Sequence, residues 1–90
     1  MEFTPEQLEE IESMACLFIS TDDLAINLGV DPDEFTELIS TKIGEGYKAY
    51  FKGWMKTEVD LRQSILQSAL NGSSPAQQMM MHYRNLSATP

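Results

Sequence analysis

Residues 21–40, TDDLAINLGVDPDEFTELIS, decide how this chain folds. Leu24, Ala25 and Leu28 give a first helix an apolar face at i, i+1 and i+4. Gly29 ends that helix, because glycine enters the left-handed conformation of a helix C-terminus without steric cost. Val30 fills the turn. Asp31 offers a carboxylate to the free amides of a second helix, and Pro32 suits its first position, where no amide donor is needed. Phe35, Leu38 and Ile39 then restore an apolar face at i, i+3 and i+4. The small Ala25 side chain lets the second helix cross closely over the first.

Two helices crossing over a short glycine-containing turn form a helix-turn-helix. The positions of Leu24, Ala25, Leu28, Gly29, Val30, Phe35 and Leu38 resemble the small, glycine and apolar positions of that family of DNA-binding modules. The exposed positions of the second helix are Asp31, Asp33, Glu34, Thr36 and Glu37. Base readout draws on Arg, Lys, Asn and Gln, and phosphate contacts need positive charge. Carboxylates facing a polyanion repel it, so the architecture and the surface chemistry point in different directions. Of these residues, Thr36 is the candidate for a contact with DNA.

Upstream, Thr4-Pro5-Glu6-Gln7 predicts a helix start with a capping box, Thr4 as N-cap and Gln7 as its partner. Phe3 and Leu8 are placed for a hydrophobic staple. Leu8, Ile11, Met14, Ala15 and Phe18 form an apolar stripe at helical spacing, which packs this first helix across the two-helix unit into a three-helix core. Ser20 or Thr21 caps the next helix, and Asp22 and Asp23 suit its first turn better than an acid-base or metal pair.

Downstream, residues 41–46, TKIGEG, read as a bend. They lack the preceding strand and the lysine of a phosphate-binding loop. From Tyr47 to about Leu70 apolar residues recur every three or four positions, predicting one long helix, with Gly53 marking a close crossing. Asn71-Gly72 stops it, Ser73 or Ser74 caps a last helix, and Met79, Met80, Met81, Tyr83 and Leu86 supply that helix's apolar surface before the polar tail, residues 87–90. The fold class is therefore all-α: a three-helix helix-turn-helix unit over residues 1–43, then a helical hairpin over residues 44–90. Tyr47, Tyr50, Phe51 and Trp54 exceed what a two-helix hairpin buries alone. They either cover the N-terminal unit or, with Met79 and Met80, form an oligomer interface.

Ninety residues suit one small domain or a small domain with a helical extension, for which oligomerisation is a natural source of stability. The net charge of −8 argues against general nucleic-acid affinity, but it is unevenly spread. Residues 1–41 hold eleven acids and no Lys or Arg, whereas residues 42–90 hold six bases against three acids. Halves so different face different partners, or each other. Lys48, Lys52 and Lys56 stand at i, i+4 and i+8, and with Lys42 they are the candidate contacts to a phosphate backbone. The alternatives are a solvated face or a stripe paired with the acidic half.

Cys16 is the only cysteine and His82 the only histidine, so neither a disulfide nor a Cys/His metal site is expected. No nucleophile, acid-base pair or cofactor motif stands out, and a non-enzymatic, cytoplasmic protein is the expectation. No apolar run reaches the roughly 20 residues of a membrane span.

The chain from residue 4 to 86 is similar to the terminase small subunits, the DNA-packaging proteins of phages and prophages. The likeness rests on the helix-turn-helix residues, on Thr57-Glu58 followed by Leu61-Arg62, and on the turn from Ala69 to Ala76, ALNGSSPA. It implies a protein that forms rings through its helical hairpin, recognises double-stranded DNA at packaging initiation, and engages a large ATPase-nuclease subunit. Such a ring gathers Lys48, Lys52 and Lys56 from several subunits into one basic band. The other reading is an acidic protein-interaction module on the same scaffold. It would meet a basic protein partner, or act as a DNA mimic, without binding DNA.

Overall fold

The computed structural model describes residues 1–87; the end of the polar tail, residues 88–90, lies outside the described residues. Those residues form five helices: α1 (Pro5–Ala15), α2 (Thr21–Leu28), α3 (Pro32–Ser40), α4 (Glu45–Leu70) and α5 (Ser74–Ser87). The protein is all-α, a helix-turn-helix unit followed by a long helix and a short C-terminal one.

Local sequence explains each boundary. At α1, Thr4 accepts from the Gln7 amide at 3.1 Å and the Gln7 side chain accepts from the Thr4 amide at 2.9 Å, closing the capping box. Ser20 rather than Thr21 caps α2, accepting from the Asp23 amide at 3.2 Å. Gly29 ends α2 in the left-handed region at φ 78°, and Asp31 caps α3 by accepting from the Glu34 amide at 2.9 Å. Ser73 stands at the head of α5, its hydroxyl accepting from the Ala76 amide at 3.4 Å.

The chain divides into two compact units, residues 1–57 and 58–90. The first unit's core is Ile11, Leu24, Ala25, Phe35 and Ile39, with Phe3, Leu8, Met14, Ile19, Leu28, Val30, Tyr47, Ala49 and Tyr50 packed around it. The bend at residues 41–44 separates helices, but the packing boundary falls at Thr57, inside α4. The early turns of α4 belong with α1–α3 because Tyr47, Ala49 and Tyr50 cover the core. Two glycines let α4 approach. A Cβ on Gly53 would collide with the Glu12 carbonyl and stand 3.0 Å from Ala15 Cβ, and one on Gly46 would stand 2.6 Å from the Phe3 ring. Thr57 adds a tether by donating its hydroxyl proton to the Cys16 carbonyl at 2.6 Å.

The apolar stripe of α1 is shorter than its spacing suggests. The helix ends at Ala15, and Phe18 sits in the following turn at φ 58°, its ring 5.3 Å from that of Trp54. Phe3 does not serve simply as a staple, because its ring meets Phe35 edge-on at 6.0 Å and joins the core.

In the second unit the C-terminal part of α4 and α5 meet through small residues. Ala69 and Ala76 are buried, and Gln77 Nε2 donates to the Ala69 carbonyl at 3.0 Å. Arg62 lies 4.1 Å over the Tyr83 ring while its Nε donates to Glu58 at 2.9 Å, which links the two helices through one cation.

Candidate nucleic-acid interface

Helix α4 carries three of the four basic residues of the first unit, on its solvent side. The inward positions Tyr47 and Tyr50 fix its rotation against the core, and Gly53 fixes it against α1. Lys48, Lys52 and Lys56, one turn apart, are consequently all exposed. Lys42 is exposed as well, in the turn before α4 at φ 59°.

Lys52 Nζ stands 3.8 Å from Glu12 Oε1, yet its side chain keeps 75% exposure. Such a long, solvated pair adds little to stability and does not bar a stronger anion. Among the described residues Lys42, Lys48 and Lys56 form no ion pair, so Lys52 alone on the lysine face meets the acidic half of its own unit.

Helix α3 presents a different surface. Asp33, Glu34 and Glu37 are exposed, while Phe35 and Ile39 point into the core. Thr36 is tied to α2: its hydroxyl donates to Asp22 Oδ1 at 2.9 Å and lies 2.8 Å from the Thr21 hydroxyl. A hydroxyl has one proton, so Thr21 is the donor in the second bond. Thr36 thus has no proton left to offer a phosphate or a base edge. The polar face of α3 is acidic, and its two hydroxyls are engaged within the unit, Thr36 with α2 and Ser40 by donating to the Glu37 carbonyl at 2.6 Å.

No family model, curated protein or solved structure matches the chain. The functional reading therefore rests on its own residues.

The aromatic cluster is divided. Tyr47 and Tyr50 are half-buried on the core of their own chain, and Trp54 is half-buried beside Phe18. Phe51 stacks on Tyr47 at 5.8 Å but stays 47% exposed. In the second unit Met80 is half-buried, while Met79 and Met81 are exposed, as are Val59, Leu61, Leu66, Leu70 and Leu86. Pro75, Gln78, Met79, His82 and Tyr83 line a shallow hollow of about 390 Å³ on α5. Two features escaped the sequence reading. The Thr21–Thr36–Asp22 network joins residues fifteen apart in sequence, and no local spacing announces it. The second is the apolar exposure around the α1–α2 turn, where Leu17 is 73% exposed beside Phe18. Its only signal was the unbroken run from Cys16 to Ile19, which reads equally well as a helix end.

Among the described residues no group of three or more His, Cys, Asp or Glu is arranged to hold a metal ion, and no helix is long and apolar enough to cross a membrane.

Proposed function

We propose that this protein is a DNA-packaging factor of the terminase small-subunit type, which binds double-stranded DNA as an oligomer through the outer face of α4. The observation that carries the reading is the lysine face: Lys48, Lys52 and Lys56 are exposed at one-turn intervals, and of the three only Lys52 meets an acid of the first half, through a long pair with Glu12 that leaves its side chain 75% exposed. Contacts of this kind are to phosphates and are indifferent to sequence. A single protomer with net charge −8 offers too little positive potential. Repeating the stripe around an assembly raises local charge density where DNA lies, and self-association covers the apolar residues of the hairpin. The DNA surface proposed is Lys42 with the α4 stripe, and excludes Thr36.

Light scattering with and without mixed duplex DNA at low salt tests this. The expected particle is several times the 10.2 kDa protomer, gains mass with DNA, and loses that gain in the Lys48→Ala, Lys52→Ala, Lys56→Ala variant. A monomer or dimer indifferent to DNA overturns it.

The exposed carboxylates of α3 favour a second reading, an acidic module that meets a basic protein partner. It predicts partner binding that weakens with salt and no DNA binding at any salt.

A further inference from the structure

Helix α3 carries a surface that the DNA reading leaves unused. Glu34, Glu37, Leu38 and Thr41 stand at i, i+3, i+4 and i+7 and share one side of the helix and its C-terminal turn. Together with Met1 they line a groove of about 330 Å³. Its apolar part is the half-buried Leu38 and Met1, which is 52% exposed. Its polar side chains offer acceptors only, two carboxylates against the single α-ammonium of Met1, so the lining stays net negative. Neither the Glu34 nor the Glu37 carboxylate has an ion-pair partner among the described residues, and the Thr41 hydroxyl spends its proton on the Leu38 carbonyl at 2.6 Å.

An occupant of this groove has to bring donors and positive charge on an apolar stem. A phosphate or a nucleic acid brings the opposite charge pattern. A lysine brings a compact point charge that is strongly hydrated. An arginine brings a planar fork of five N–H donors, enough to bridge two carboxylates, on an aliphatic stem that lies against apolar surface. We propose that the α3 groove docks an arginine-bearing segment of a protein partner, the guanidinium between Glu34 and Glu37 and the stem over Leu38 and Met1. The net charge of −8 steers such a partner toward the chain. The proposal goes beyond the DNA reading and does not depend on it, since the two use different helices.

The test is fluorescence anisotropy of the full chain with a labelled helical peptide carrying two arginines four residues apart, beside otherwise identical lysine and glutamine peptides. Two double variants remove equal charge: Glu34→Gln with Glu37→Gln at the groove, and Glu6→Gln with Glu9→Gln at exposed positions of α1. These isosteric surface changes leave the fold intact, which circular dichroism verifies. The arginine peptide is expected to bind at least tenfold more weakly to the groove variant and less than twofold more weakly to the α1 variant. The lysine peptide is expected to bind the parent chain several-fold more weakly, and the glutamine peptide not at all. Equal losses in the two variants, equal binding of the arginine and lysine peptides, or no arginine-peptide binding at low salt overturns the proposal. Duplex DNA is titrated alongside. Affinity unchanged or raised in the groove variant agrees with a protein-docking α3, whereas a loss would put DNA on that face and refute it.

Discussion

Replacing Gly53 by alanine isolates what holds α4 to α1. In an open helix interior the change is favourable, because alanine exceeds glycine in helix propensity by about 1 kcal/mol. Here the added methyl meets the Glu12 carbonyl and lies 3.0 Å from Ala15 Cβ. The Glu12 carbonyl belongs to the α1 backbone, and Ala15 is fully buried, so neither yields by a side-chain rotation. Relief requires the helices to move apart, drawing Tyr47 and Tyr50 off the core and stretching the Thr57–Cys16 hydrogen bond. Overpacking a tight contact costs about 1–3 kcal/mol and more where backbone is the obstacle. Set against the propensity gain, a net loss of about 2 kcal/mol is expected, or roughly 8–16 °C in Tm for a chain of this size. Urea and thermal unfolding followed by Trp54 fluorescence and far-ultraviolet circular dichroism measure it. A Gly53→Ala protein as stable as the parent, or more so, would refute the close crossing.

Three further substitutions probe single interactions. Gly29→Ala should cost about 1 kcal/mol. Its Cβ meets nothing within 4 Å, so the loss arises from the φ of 78° alone, and Gly29→Asn should recover part of it in the same unfolding assay. Asp31→Ala removes the acceptor for the Glu34 amide and should lower stability by about 1 kcal/mol, with Asp31→Ser close to the parent. Thr57→Val keeps the shape but deletes the donor to the Cys16 carbonyl. It should cost about 1 kcal/mol and raise hydrogen exchange in the first turns after α1, read by mass spectrometry.

The helices were legible because their signals are local. Thr4 with Gln7, Gly29, Asp31 and Pro32 each act within four residues, and the structure has the bonds and dihedrals those residues predict. The end of α1 was not legible. Met14, Ala15 and Phe18 continue a helical spacing, but the ring of Phe18 reaches Trp54 only if the chain leaves the helix and passes through φ 58°. Gly46 read as part of a bend, whereas its place is inside α4, where Phe3, forty-three positions earlier, leaves no room for a side chain. The division of the aromatic residues is likewise tertiary. Periodicity puts Tyr47, Tyr50, Phe51 and Trp54 on nearby faces, but only the rotation of α4 assigns Tyr47 and Tyr50 to the core and leaves Phe51 exposed. For the candidate site, the lysine spacing was plain in the sequence, and its freedom from the acidic half was not. That depends on where α1 lies, and Glu12 reaches only Lys52.

The salt dependence of duplex DNA binding, measured for the parent chain and for the triple variant Lys48→Ala, Lys52→Ala, Lys56→Ala, tests the central claim most directly. Each phosphate contact adds about 0.9 to the slope of log affinity against log salt. Loss of three contacts per engaged protomer should therefore flatten the slope by about 2.7 per protomer on DNA and lower low-salt affinity steeply. Identical slopes and affinities for the two proteins, or no binding by the parent at low salt, would contradict the account.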